Sequence, residues 1–243
     1  MPRRSAPPLL YPSLGALLWV AAHSAAAATL TVSPDGPIRR IADAARLAKD
    51  GDTVLIRAGT YRHDVASWPQ RSLTIRGVGG RPILDAAGEG AEGKAIWVLK
   101  DGHFRIDNIA FRGARVPDGN GAGIRLEHGR LDLSRCVFED NQMGLLTSDD
   151  ATVELNIRDS LFRRAPPQRK PLPHLLYAGK IRLLTVQGSR FEQGYEGHLV
   201  KSRARRSELK YNLLADGPGG QASYELDLPN GGVAVVVGNV IAQ

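Results

Sequence analysis

Asn108-Ile109-Ala110-Phe111, Arg135-Cys136-Val137-Phe138, Asp159-Ser160-Leu161-Phe162, Gly188-Ser189-Arg190-Phe191, Tyr211-Asn212-Leu213-Leu214 and Gly238-Asn239-Val240-Ile241 are one pattern written six times. A large apolar residue closes each tetrad, at steps of 27, 24, 29, 23 and 27 residues. Two places before it stand Ile109 and then Cys136, Ser160, Ser189, Asn212 and Asn239, a column that is small or polar after its first member. A repeat of this length that contains only strands and turns is the signature of a solenoid whose coils stack on one another. Short strands with frequent turns also suit a β-sandwich; the recurring turn-side column favours the solenoid.

Working outward, Thr29–Val32, Thr53–Arg57, Ser72–Arg76, Ala95–Leu99 and Val233–Val237 are β-branched or apolar runs bounded by Gly, Asp, Pro or Asn, and each reads as a short strand. One coil of such strands loses about 1–2 kcal/mol of backbone entropy per residue. A handful of inward Leu, Val, Ile or Phe side chains returns only about 1.5–3 kcal/mol each. A single coil cannot stand alone, whereas stacking gives every strand partners above and below and leaves edges only at the two ends. Before the coils, Ile38, Ile41, Ala42, Ala45 and Ala48 recur at helical spacing behind Pro37, with Arg39, Arg40, Asp43, Arg46 and Lys49 on the other face. The spacing predicts an amphipathic helix over Pro37 to Ala48, placed to cap the first coil.

The extreme N-terminus reads differently. Arg3 and Arg4, the apolar run Leu14 to Ala22 and the small residues Ala26-Ala27-Ala28 have the order of a secretory signal peptide cleaved near Ala28. An uncleaved anchor would need about 20 apolar residues, and here Pro7, Pro8 and Pro12 crowd the start of a shorter run. The expectation is a leader over 1–28, a single domain over 29–243, no membrane span after cleavage, and a periplasmic or extracellular location. The 243 residues carry a formal charge of +7, with 42% hydrophobic and 23% charged residues, which fits a globular chain rather than a disordered one. A lone cysteine, Cys136, excludes a disulfide framework and any zinc site built on cysteine pairs. The basic balance implies an acidic partner, and export makes an acidic polysaccharide a better fit than nucleic acid.

The run Ile38 to Tyr61, followed by Leu73-Thr-Ile-Arg-Gly77 and Pro82-Ile-Leu-Asp85, resembles the opening of right-handed parallel β-helix proteins of the pectin-lyase-like class. The fold expected is therefore all-β: a single-stranded right-handed parallel β-helix with an N-terminal capping helix. The class includes lyases, hydrolases, epimerases and non-catalytic adhesins, so the resemblance does not fix chemistry.

Chemistry-bearing residues gather in the last third. His174-Leu-Leu-Tyr177, His198-Leu-Val-Lys201 and Tyr224-Glu-Leu-Asp227 align at separations of 24 and 26 residues. In stacked coils about 4.8 Å apart, Tyr177, Lys201 and Asp227 would form one column and His174, His198 and Tyr224 another. A one-residue slip would turn them to the opposite face. Glu196-Gly-His-Leu-Val-Lys201-Ser, Tyr211-Asn212, Asn230-Gly231 and Gly238-Asn239-Val-Ile are similar to the catalytic segment of polysaccharide lyase family six, the alginate lyase and chondroitinase B group. The resemblance implies Lys201 as the base and Glu196 as one acidic ligand of a calcium ion. Gly194 stands where that family has a second acidic ligand, and Asp227-Leu-Pro-Asn-Gly occupies the stretch of the family's arginine and histidine. The expectation is thus a site without a resident cofactor, calcium being the one ion the resemblance would bring.

Removing the C5 proton of a uronate requires the adjacent carboxylate to be neutralised, because the transition state loads it with charge. Arg203, Arg205 and Arg206 are the candidate cations, Tyr177 a candidate acid, and His174, His198, Tyr224, Asp227 and Asn230 candidate substrate contacts. Each has a plainer alternative. The charge run Lys201 to Lys210 also fits a solvated face, Asp227 beside Lys201 an ion pair, His174 and His198 structural roles, and Asn212 and Asn239 a ladder of turn residues. Asp118, Asp149 and Asp150 read as turn residues. Gly88 to Lys94 has the spacing of a phosphate loop, but Ala95 replaces its Ser or Thr. No zincin His-Glu-x-x-His and no Gly-x-Ser-x-Gly elbow occurs. The leading expectation is a carbohydrate-active protein using lyase or epimerase chemistry, and the alternative is a non-catalytic glycan-binding or structural module.

Overall fold

A computed structural model describes Met1, residues 26–168 and residues 170–243. The segment read as a signal peptide lies outside the described residues apart from its ends. The rest is a right-handed β-solenoid of three parallel sheets with nine, seven and eight strands. From Thr53 onward consecutive strands of the chain fall in different sheets, and each strand inside a sheet pairs with the strand one coil earlier and the one a coil later. No helix among the described residues is long and apolar enough to cross a membrane.

The six tetrads form the turn between the nine-stranded and eight-stranded sheets. Their first residues, Asn108, Arg135, Asp159, Gly188, Tyr211 and Gly238, all have positive φ, between 49° and 64°. Such a φ rotates the chain sharply, and the next residue then enters the core. There the small and polar column knits the coils together. The Cys136 N–H donates to Ser160 Oγ (3.1 Å), Ser160 N–H to Ser189 Oγ (3.2 Å), Ser189 N–H to Asn212 Oδ1 (2.9 Å) and Asn212 N–H to Asn239 Oδ1 (2.9 Å). Buried backbone donors at a turn need such partners, and a side-chain oxygen from the next coil supplies each one. The residue that closes each tetrad points inward. Phe111, Phe138, Phe162 and Phe191 stack with ring centroids 5.0, 4.5 and 4.8 Å apart, nearly parallel.

The capping helix is shorter than the apolar spacing predicts. It spans Ile41–Leu47 rather than Pro37 to Ala48. Val32 and Ile38 form a parallel bridge, which keeps the chain extended past Pro37. Arg40, at the N-cap, offers no side-chain cap. Instead the buried carboxylate of Asp64, from the first coil, accepts the N–H groups of Ile41 (2.6 Å) and Ala42 (3.0 Å). At the other end Gln70 Nε2 donates to the carbonyls of Ala45 and Ala48, each at 2.9 Å. Ile41, Ala44, Ala45 and Ala48 are buried over the mouth of the core. Asp64→Ala strands two helix-terminal donors, and urea unfolding is expected to show a loss of about 1–2 kcal/mol; an unchanged midpoint would mean that the helix end is satisfied by solvent.

Candidate functional site

The seven-stranded sheet has an unusual outer face. Its strands Ala95–Leu99, Ala122–Leu126, Met143–Thr147, His174–Ala178, His198–Ser202 and Tyr224–Asp227 present their first and fourth residues outward. In the early coils these residues are Ala95, Val98, Ala122, Arg125, Met143 and Leu146, and all but Arg125 belong to a second apolar cluster against which Tyr177 packs. In the last three coils they become His174 and Tyr177, His198 and Lys201, and Tyr224 and Asp227. The register is the one that the sequence separations imply: Tyr177 pairs with Lys201, Lys201 with Asp227, and His198 with Tyr224.

Lys201 is the centre of the group. Its Nζ lies 3.6 Å from Asp227 Oδ2 and 5.4 Å from the centroid of the Tyr177 ring. Arg203 reaches the same spot from beyond the strand end, donating from Nη1 toward the Tyr177 hydroxyl (3.5 Å) and from Nε to Asn230 Oδ1 (2.7 Å). Beside this column the rings of His174 and His198 lie 4.8 Å apart, and Tyr224 meets His198 edge-on at 5.2 Å. Eight of the sequence candidates, Tyr177, Lys201, Asp227, Arg203, Asn230, His174, His198 and Tyr224, therefore meet in one place.

The histidines are held uncharged. His174 is buried, and its Nδ1 accepts the backbone N–H of His198 at 3.0 Å, so its proton sits on Nε2. Burial pushes its pKa down to about 3, helped by His198 and Lys201 nearby. Burial also lowers the pKa of His198, against the attraction of Asp227. His198 Nδ1 lies 3.0 Å from Asp227 Oδ2 but outside hydrogen-bond geometry, and this buried nitrogen has no other partner among the described residues. Asp227 Oδ2 thus lies between the His198 ring and the Lys201 amine, 3.0 Å from one and 3.6 Å from the other. For His174 the sign of the pH effect is fixed. The unfolded chain takes up a proton near pH 6.5 and the folded chain only near pH 3, so the contribution is full above 6.5 and is lost as pH falls through that window. A His174→Asn variant, whose side-chain oxygen can still accept the His198 N–H, is expected to flatten the fall of the melting temperature between those limits. A slope equal to that of the parent chain would assign the acid sensitivity elsewhere.

Two expected cations do not join the site. The chain turns a corner at Ala204, so Arg206 opens the strand Arg206–Lys210 of the nine-stranded sheet, where its Nε pairs with Glu208 Oε1 at 2.7 Å. Arg205 is exposed at that corner, and with Arg206 it borders a different depression, beside Glu154 and Arg182. Only Arg203 of the three lies on the near side of the turn. Glu196 is exposed in a positive-φ turn, with φ of 49°. Position 194 is a glycine packed against Asp216, whose Oδ1 accepts its N–H at 2.6 Å. Among the described residues no three His, Cys, Asp or Glu side chains converge on a common point. Glu196 therefore has no second acidic side chain at position 194 beside it.

The sequence reading missed the continuation of the column. Tyr177 pairs with Leu146, and Leu146 with Arg125, so Arg125 stands on the same outward column two coils before Tyr177. A depression of about 400 Å³ lies between them, lined by Asn120, Arg125, Met143, Leu146, Asp149 and Tyr177 among others. A second groove, of about 440 Å³, crosses the outer face of the nine-stranded sheet. Its Arg76 and Arg130 already carry Asp107, Asp132 and Glu154 as partners.

No protein-family profile matches the chain, and no curated protein matches it. Among solved structures it is similar to an alginate lyase of polysaccharide lyase family six, with a TM-score of 0.63 at 15% identity over 90% of this chain. The chain spans 37% of that lyase. It also matches a pectin methylesterase in complex with a hexasaccharide, with a TM-score of 0.47, and the pectin methylesterase of Aspergillus niger, with 0.42, both at 15% identity. These cover 80% and 90% of this chain and 80% and 86% of theirs. The architecture is that of the parallel β-helix proteins.

Proposed function

We propose that this chain is an exported carbohydrate-active protein that acts on an anionic, uronate-containing polysaccharide by lyase or epimerase chemistry, with Lys201 as the base. The observation that carries the reading is the outward column Tyr177, Lys201 and Asp227, joined by Arg203 within reach of the Tyr177 hydroxyl. An amine, a phenol and a guanidinium thus meet on one outward face of the seven-stranded sheet. The likeness to an alginate lyase supports the fold in which such a face would sit, and the substrate class follows from the basic charge and the leader sequence.

The chemistry asks three things of these residues. Arg203 neutralises the uronate carboxylate, which lowers the cost of placing negative charge beside it. The Lys201 amine takes the proton from C5, and the electron pair of the broken C–H bond forms the C4–C5 double bond as the bond from C4 to the glycosidic oxygen breaks. Tyr177 gives its proton to that leaving oxygen. In an epimerase the C4–O bond stays intact and the proton returns to the opposite face of C5. The test is ultraviolet absorbance of the conjugated double bond during incubation with a panel of acidic polysaccharides, with C5 proton exchange followed in parallel by NMR. Absorbance growth assigns a lyase, and exchange without it an epimerase. Neither signal on any substrate would end the catalytic reading.

A specific observation favours one second reading. Lys201 has Asp227 as its partner, the arrangement of a groove that binds glycan without transforming it. Saturable binding with no product and no exchange would select it.

A further inference from the structure

Arg125 is a cation without an anion. It sits in the strand Ala122–Leu126, half-buried, and burial holds its pKa below the ordinary arginine value. Its Nε is fully covered and has no hydrogen-bond partner, and no carboxylate lies within ion-pair distance of the guanidinium among the described residues. The two nearest acids are engaged elsewhere. Glu127 accepts from Lys94 (2.5 Å) and Lys100 (3.1 Å), and Asp149 Oδ1 accepts the backbone N–H of Lys180 at 2.9 Å. A guanidinium taken partly out of water with its covered Nε–H unmet is costly, and interiors normally supply such a group with a carboxylate. Here no such carboxylate is in place among the described residues, and the rest of the partly exposed guanidinium is open to one from outside.

The geometry offers it a place. Arg125 lines the 400 Å³ depression whose floor includes Met143 and Leu146 and whose far wall is Tyr177. Apolar atoms beneath, with the Arg125 guanidinium at the edge and the other charged group of the lining, Asp149, held by the Lys180 N–H, suit a sugar ring bearing a carboxylate: the ring's C–H face lies on the floor while the acid meets the planar donor fork of arginine. Tyr177 belongs both to this depression and to the Lys201 column, so the two are continuous. Arg125 is three rungs from Lys201, about 14 Å along the stack. One sugar cannot touch both, but an extended chain can.

We propose that Arg125 forms a carboxylate-binding subsite, which holds an acidic sugar of the same glycan several units from the one at Lys201. The assignment rests on the uronate reading for the identity of the sugar, and on the unpaired guanidinium for the site itself. It makes the protein a reader of chain length. Short oligouronates that cover only Tyr177 to Asp227 do not reach Arg125, and longer ones do.

The test is calorimetric binding of alginate- and pectate-derived oligouronates, from disaccharide to hexasaccharide, to the Lys201→Ala chain, which prevents turnover. Affinity is expected to step up by about 10–100-fold at the length that reaches Arg125. Arg125→Gln is expected to remove the step and leave disaccharide binding unchanged, while Arg125→Lys, a point charge without the fork, restores only part of it. A second measurement needs no sugar. The Arg125 Nε–H signal in a nitrogen-15 NMR spectrum, assigned by its loss in Arg125→Gln, is followed as sodium acetate is added to the unaltered protein. A saturable shift supports the subsite. An identical length step in the parent and Arg125→Gln chains overturns it while leaving the Lys201 reading intact. If no oligouronate binds but acetate saturates, the carboxylate site stands and the uronate reading falls; if neither binds, both fall.

Discussion

Lys201→Ala is expected to lower the rate of double-bond formation or C5 exchange by a factor of about 100 to 10,000 and to leave the fold unchanged. The fold should survive because Lys201 points outward and is 23% exposed, and its main partner is Asp227 at 3.6 Å. An ion pair open to solvent contributes about 0–1 kcal/mol, so its loss should barely move the unfolding midpoint. The rate should not survive, because nothing else in the column can take the amine's place. The nearest neutral nitrogens belong to the histidines, but His174 Nδ1 is occupied by the His198 N–H and His198 Nδ1 is buried. Lys201→Arg separates two roles that alanine confounds. Arginine preserves the positive charge and can keep the pair with Asp227, but it does not lose a proton at any working pH. A base therefore makes Arg as inactive as Ala, whereas a cation that merely neutralises the uronate lets Arg retain most of the rate. Full activity in a correctly folded Lys201→Ala protein would sink the assignment.

The column that supports this prediction was legible in the sequence, and the reason is mechanical. In a solenoid, register is fixed by the turn that each coil repeats, so a separation of 24 or 26 residues between similar segments translates directly into neighbouring rungs. The tetrads carried that information twice, once in residues that tolerate or adopt positive φ, such as Gly188 and Gly238, and once in the phenylalanines that follow. What the sequence could not show depended on position around the coil rather than along it. Arg203, Arg205 and Arg206 look equivalent as text. Only the corner at Ala204 decides that the first faces the seven-stranded sheet and the last the nine-stranded one. The capping helix was over-long for a similar reason: its apolar spacing begins at Ile38, yet Ile38 bridges to Val32 and the true cap is Asp64, one coil away. Arg125 was invisible because what marks it is a missing partner, and a lone arginine between Ile124 and Leu126 gives no hint of that.

Phe138→Ala is the second large effect, an expected loss of about 3–5 kcal/mol of stability read from urea unfolding. Phe138 is fully buried, and its ring is stacked between Phe111 at 5.0 Å and Phe162 at 4.5 Å. The neighbours cannot move in to fill the space, since each ring is held by the backbone pairing of its own coil: Phe138 lies opposite both Phe111 and Phe162 in register. The opposite wall is equally rigid. A Cβ at Gly123 would come within 2.6 Å of the Phe138 ring and 2.8 Å of the Gly144 carbonyl oxygen, so the ring packs on bare backbone that has no side chain to swing into the gap. In a stacked array each coil's stability is largely its contact with the coils beside it, so a cavity at Phe138 weakens two interfaces at once. Ile241 provides the contrast. It occupies the same column at the last coil but is 47% exposed, with only Leu214 beside it in register. Ile241→Ala should therefore cost a small fraction of what Phe138→Ala costs. Equal losses at the two positions would show that the coils unfold as one block whose stability does not depend on local contact, and the description of this core as a ladder of separable rungs would have to be abandoned.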